Sequence, residues 1–428
     1  MKPLHTRRRF LRSTALGGAL GTTLPSFLAG TFDVLHAAED GQATAAVTGR
    51  DAPILVVLQL AGGNDGLNTV VPHANDHYRR ARPNLGLKSD QVLKLDGEFG
   101  LHPALGGFHR LFEAGRLAVV QGVGYPNPNR SHFRSTEIWA SASDSDRFVR
   151  HGWVGRYFDH ACAGAEPTVG IALGRQMPQA FAGARGRGVS LENPAAFRYV
   201  DTDTPEPGEM AGGGKFYRQM NQPPELGEAG GSIGAVGGVG AGAEDPVDFL
   251  ERVALDAQVS SDRIREVAGR VKNQASYPAT GLASNLALVS RLIAGGMPTR
   301  VYYVSQGGYD THTNQAGSHE RLLRELGDAV AAFVADLEKF GQLGRTLVMT
   351  FSEFGRRVKE NASGGTDHGA GAPMFLAGGR IRVGLRGTPP SLAPGDLLNG
   401  DIRFNLDFRS VYAGVLQQWL KTDPEAGG

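Results

Sequence analysis

The stretch "RVYYVSQGGYDTHTNQAGSHERLLRELGDAVAAFVADLEKFGQLGRTLVMTFSEFG", residues 300–355, decides the fold. Its outer pieces, "RVYYVSQ" and "TLVMTF", are short apolar runs without polar alternation, the pattern of strands buried on both faces. Between them, in "SHERLLRELGDAVAAFVADLEKFG", Leu322, Leu326, Phe333, Leu337 and Phe340 recur at helical spacing. The stretch therefore reads strand, helix, strand. Two further runs of the same kind, "ILVVLQL" from Ile54 and "LAVVQGV" from Leu117, extend the sheet, and helices are expected over 249–272, 285–294 and 407–420. This alternation predicts an α/β fold, a three-layer sandwich around a mainly parallel sheet. One segment breaks the pattern. Residues 205–245, with "GEAGGSIGAVGGVGAGAED" at their heart, hold too little side chain to bury and read as a flexible surface insertion.

The chain has 428 residues, of which 41% are hydrophobic, enough for one large core. It opens with "TRRRFLRSTALGGALGTTLPSFLAG", adjacent arginines followed by a mildly apolar stretch, which has the form of a twin-arginine export signal over residues 1–37. The remaining domain, 50–428, is then expected to act in the periplasm or otherwise outside the cytoplasm, with the export machinery as a partner and no stable membrane span once the signal is cleaved. Loss of that leader removes Lys2, Arg7, Arg8, Arg9 and Arg12 with only one acid, Asp33, so the formal charge of +1 becomes −3. Nothing in that balance suggests a nucleic-acid partner. The single cysteine, Cys162, forbids an internal disulfide. A redox protein is disfavoured as well, because the chain lacks a Rossmann fingerprint and a cysteine cluster.

In open parallel sheets, ligands gather beyond the carboxyl ends of the strands. After the first run stand Asn64 and Asp65; after the second, Asn129, Arg130, Ser131 and His132; after the third, Asp310, His312 and Asn314; after the fourth, Ser352, Glu353 and Arg356. A fifth place is "GGTDHG", where Asp367 and His368 sit between glycines. Each has an ordinary alternative: Asn-Asp-Gly is a good turn, Ser131 a good helix N-cap, and the histidines loop residues hydrogen-bonded in place. Together, carboxylates, imidazoles and a hydroxyl on one edge form the donor set that borderline divalent ions accept.

The order of "LQLAGGNDGLNTVVP", "GYPNPNRSHFRSTEIW", "GYDTHTNQ", "TFSEFGRRVKENASGGTDHGAGAPMFLAGG" and "DFRSVYAGVLQQWL" resembles the bacterial family catalogued as domain of unknown function 1501, grouped with the alkaline phosphatase and sulfatase superfamily. That resemblance implies an alkaline phosphatase-like fold and an exported metal-dependent hydrolase of phosphate or sulfate esters, acting on a small-molecule or polymer substrate. It implies Ser131 as nucleophile. It also implies two divalent ions, Zn or Mn before Mg or Ca, one held by Asp310, His312 and His368 and the other by Asp65 and Glu353. Asn64, Asn129, Arg130, His132, Asn314, Arg356 and Asp367 would support them. The chain departs from the superfamily pattern in two places: "DTH" separates its Asp and His by one residue rather than three, and Ser352-Glu353 stands where an Asp-His pair is frequent. These departures leave a second reading open, a noncatalytic exported binding or assembly protein on the same fold.

Overall fold

The computed structural model describes residues 52–185, 188–192 and 260–424. The leader, the glycine-rich insertion and the first part of the expected helix 249–272 lie outside the described residues; from 260 to 270 the chain is helical.

The principal sheet contains β1 (Ile54–Leu60), β2 (Leu117–Gly124), β3 (Gly170–Leu173), β4 (Val189–Leu191), β5 (Val301–Gln306), β6 (Thr346–Phe351), β7 (Ala372–Gly378), β8 (Gly384–Arg386) and β9 (Leu406–Asp407). Their order is β8-β2-β7-β6-β1-β5-β3-β4, with β9 also paired to β2. The four strands expected from sequence are all present, and β1 lies parallel between β5 and β6. The fold class is the one expected. Only β7 runs the other way, antiparallel to both β6 and β2.

The apolar runs lack alternation because both faces of the sheet are covered. Ile54, Val56, Leu58 and Leu60 of β1 join one core with α1 (Gly106–Glu113), α4 (Gly281–Ala294) and α5 (Gln315–Lys339). Leu55 and Val57 join a second core with α2 (His132–Ser141), α3 (Trp153–Ala161) and α6 (Phe408–Gly414). Successive residues of a strand point to opposite faces, so this split is the three-layer arrangement read directly from one strand. Helix α4 begins earlier than its apolar spacing indicates, because Thr280 caps it through the Ala283 N–H. Among the described residues no helix is long and apolar enough to cross a membrane.

One polar group ties the α4–α5 layer together. Asp336 projects from α5 with no solvent exposure and accepts from Asn273 Nδ2 (2.7 Å), Gln274 N (2.6 Å), Ala275 N (2.8 Å), Tyr277 Oη (3.1 Å) and Ser290 Oγ (2.7 Å). Burial would raise its pKa, but the bonds from Asn273, Ser290 and the two amides prevail and lower it. Asp336→Ala would leave five donors without their acceptor and should cost on the order of 3 kcal/mol in urea denaturation at neutral pH. The carboxylate's contribution is present above its unfolded pKa of about 4 and is lost as the pH falls through the lower folded value. The gap between wild type and variant should accordingly narrow in acid.

Candidate metal centre

The sheet explains why five separated sequence motifs meet. Leu60 is in register with Gln306 and Gln59 with Phe351, so the segments after β1, β5 and β6 leave from one edge. β2 is parallel to these, and its following segment leads there too. "GGTDHG" precedes a strand rather than following one, and reaches the same edge because β7 is antiparallel, with Ala372 at its start opposite Val123 at the end of β2. Its glycines are required by close approach. A Cβ on Gly365 would lie 2.3 Å from the carbonyl carbon of His312, and one on Gly369 would lie 2.4 Å from that of Arg356. The bare backbone lets the loop thread between the 309–314 and 352–358 segments, where Arg356 and His368 form an antiparallel bridge.

On this edge His132, Asp310 and His368 each present a ligand atom, all within 4.8 Å of one another. The hydrogen bonds fix which nitrogens face inward. His368 Nδ1 lies 2.8 Å from the Arg130 carbonyl, His132 Nδ1 lies 2.9 Å from Glu353 Oε1, and His312 Nδ1 lies 3.2 Å from Asp367 Oδ1. All three partners are oxygens that can only accept, so each Nδ1 carries a proton and each Nε2 is the nitrogen that faces inward. Those Nε2 atoms converge on Asp310: His368 and His312 at 3.0 Å from Oδ1, His132 at 3.4 Å from Oδ2. His312 and His368 also face each other, Nε2 to Nε2, at 2.9 Å. Contacts this short between nitrogens and a carboxylate need a proton or a metal ion between the atoms.

Asp310 is ionised. Its burial would raise the pKa, yet hydrogen bonds from Arg356 and His368 outweigh this and hold it down at about 2. The separations of 2.9–3.4 Å match the edges of a small coordination shell, about 3.3 Å for a tetrahedron with bonds of 2.0–2.1 Å. Imidazoles with their far nitrogens bonded to a carboxylate or a carbonyl are the usual outer shell of a metal site. The residues therefore fit a divalent ion.

The structure distributes the expected site residues unevenly. Asp310, His312 and His368 come together, and His132, expected only to support, stands with them. Glu353 stands behind His132 rather than among the inward-facing atoms: its Oε1 also accepts from Gly62 N at 2.8 Å, while Oε2 is buried without a hydrogen-bond partner. Asp367 orients His312 and is itself held by Asn361 Nδ2 at 3.1 Å. Asp65 is elsewhere. It is fully buried in an ion pair with Arg82 Nη1 at 2.6 Å, receives a hydrogen bond from Gln315, and caps the short turn Gly66–Thr69. Asn64 is buried beside it, bonded to Thr69 and His319.

Asn129 Oδ1 accepts from Ser131 N at 2.8 Å, and Asn314 begins α5 in a left-handed conformation. Ser131 occupies the N-cap position of α2, but its side chain makes no cap hydrogen bond and is exposed. The ordinary reading of that hydroxyl as a helix cap is thus not realised.

Sequence reasoning missed Arg82, Gln315, His319, Asn361 and Phe354. His319 had a signal of a kind, falling four residues after Gln315 and three before Leu322 on the buried stripe of α5. Its burial pushes the imidazole pKa down to about 4, so it is neutral and structural. Phe354 lies beneath the centre, its ring 4.9 Å from that of His132 and 4.5 Å from that of His368.

The profile of the family described as "Protein of unknown function (DUF1501)" matches residues 52–422. The chain belongs to this family. Comparison with the curated proteins finds no match. Among solved structures, the PsFucS1 sulfatase from Pseudoalteromonas sp. is 11% identical, with 90% of this chain and 74% of that one covered at a TM-score of 0.36. A protein in the alkaline phosphatase superfamily from Vibrio parahaemolyticus is 8% identical, with coverages of 91% and 74% and a TM-score of 0.36. The alkaline phosphatase from the Antarctic bacterium TAB5 is 10% identical, with coverages of 78% and 95% and a TM-score of 0.33.

Arg356, 1% exposed, links the loops of this DUF1501 member: its guanidinium donates to the carbonyls of Gly62, Gly63, Tyr309 and Thr366 and to Asp310 Oδ1. Lysine cannot reproduce that planar fork. Arg356→Lys should lower stability by about 3 kcal/mol in chemical denaturation and loosen the centre, whereas substitution of the exposed Arg324 should change stability by less than about 0.5 kcal/mol.

Proposed function

We propose that the protein is an exported, metal-dependent hydrolase of phosphate or sulfate esters with Ser131 as nucleophile. The observation that carries this reading is the convergence of three imidazole Nε2 atoms on one ionised carboxylate, with an exposed hydroxyl on the residue that precedes the first of those imidazoles. A bound divalent ion supplies Lewis-acid stabilisation of the negative charge that develops on the ester oxygens.

The chain's own residues supply the rest. Ser131 directly precedes His132, so the hydroxyl and the first imidazole are set by the same turn of backbone. The N-terminus of α2 offers unpaired N–H groups and a positive dipole end to an anionic ester. Glu353, Asp367 and the Arg130 carbonyl hold the three rings so that their Nε2 atoms stay inward, and Arg356 keeps Asp310 ionised and in place. Asp65, tied to Arg82, is not offered to a second ion, which favours a one-ion centre over the pair implied by the resemblance. The leader sequence supports action outside the cytoplasm.

A noncatalytic binding protein is the second reading, favoured by that same incomplete second position. Elemental analysis separates the two. Wild-type protein purified without added metal should carry about one divalent ion per chain. His368→Ala should lose most of it and should blunt the rise in Tm that added Zn²⁺ gives, which follows RT ln(1 + [L]/Kd). Asp367→Asn, which removes only the acceptor behind His312, should retain more. A metal-free wild type, or a full complement in His368→Ala, would make the noncatalytic reading the better one.

The nucleophile is tested separately with activated aryl phosphate and aryl sulfate esters. Ser131→Ala should reduce kcat by about 10³-fold or more with metal content unchanged, since alanine supplies no alkoxide. Turnover that survives in the alanine variant would assign Ser131 a backbone role only.

A further inference from the structure

A cavity of about 620 Å³ lies along α2, α3 and α6, lined by none of the inward-facing residues of the metal centre. Its size falls within the range of about 300–1,000 Å³ typical of small-molecule sites. Its lining is mixed in an informative way. Three arginines, Arg147, Arg156 and Arg409, are matched by three aspartates, Asp144, Asp407 and Asp423, so the cavity carries no net charge that would select an anion or a cation. Arg409 is held between Asp407 and Asp144 by charge-assisted bonds, and Arg156 donates to the carbonyls of His151 (2.7 Å) and Ser141 (2.9 Å). These groups are fixed in orientation before any ligand arrives.

The outer wall is aromatic. Phe148 is 79% exposed, which for an unsupported side chain would be unfavourable and mobile. It is supported. The Arg134 guanidinium lies 4.0 Å from the ring centroid and also donates to the carbonyls of Asp144, Ser145 and Arg147, pinning the loop that carries the ring. One face of Phe148 is taken by the cation, and the ring is held out from the surface at the rim of the cavity. A rigid, exposed aromatic platform next to paired donors and acceptors of balanced charge matches a ligand that has C–H faces and many hydroxyl groups. Hydroxyls can donate to the aspartates and accept from the arginines at once, which neither an aliphatic chain nor a phosphate can do.

We infer that this cavity is a binding site for a neutral saccharide, with Phe148 as its stacking platform. The site is independent of the metal centre and of any reaction there, although both are built on α2, where Arg134 follows His132 by two residues.

The experiment is a glycan array of neutral and anionic oligosaccharides probed with the purified protein lacking residues 1–37, read in the presence and absence of a chelator. Neutral glycans should bind irrespective of chelator. Phe148→Ala should weaken that binding roughly tenfold, the equivalent of one lost stacking contact. Phe133→Ala, which removes another exposed aromatic, should leave it unchanged, and both variants should melt like the parent because neither ring is buried. The inference is overturned if no neutral glycan binds, if only anionic glycans bind and salt abolishes the signal, if Phe148→Ala binds like the wild type, or if chelation removes binding along with the metal.

Discussion

The candidate centre depends on one buried guanidinium. Arg356 has no solvent-exposed side-chain surface and donates to carbonyls from three different segments, 62–63, 309 and 366, as well as to Asp310. Those segments belong to motifs separated by up to three hundred residues in the chain. A buried charge needs full hydrogen bonding, and the planar fork of arginine meets that need only if all the loops stand in one relative position. The cation also lowers the pKa of the carboxylate on which the imidazoles converge. Assembly of the loops and ionisation of the centre are therefore consequences of the same contact.

The sequence was most readable where a single physical requirement dominates. Strands buried on both faces must be uniformly apolar, so β1, β2, β5 and β6 stood out. β3, β4, β8 and β9 are two to four residues long and carry too little pattern to register. β7 is apolar like the others, but its direction is a property of the sheet and not of its own residues. That direction is what brings "GGTDHG" to the ligand edge. The family, too, could be recognised from the order of the polar motifs.

The roles within the centre were less legible. His132, expected only to support, faces Asp310, and Glu353, expected as a ligand with Asp65, stands behind it, because a histidine at the first residue of a helix and a glutamate after a strand give no clue in sequence as to which faces inward. Hydrogen bonding decides it: Glu353 is anchored by the Gly62 N–H and can only accept from His132, which turns the other nitrogen toward Asp310. Arg82 and Gln315, which claim Asp65, come from a short helix and from the first turn of α5. Neither stands in a motif that composition or spacing would mark as chemical.

Asp65 and Asp310 show why a carboxylate beyond a strand end is not by itself a ligand. Both follow strands of the same sheet on the same edge, and both have pKa values lowered by an arginine against the opposing effect of burial. Asp65 is enclosed, and its charge is matched by Arg82 at no exposure on either side, with Gln315 and the Asn68 amide occupying the remaining acceptor positions. Asp310 keeps its side chain 46% exposed, with Arg356 and imidazole nitrogens as its neighbours. The first arrangement is complete as it stands and would be disrupted by an ion. The second stays open to solvent, and that difference, rather than position in the sheet, distinguishes a carboxylate enclosed by the fold from one that a ligand can reach.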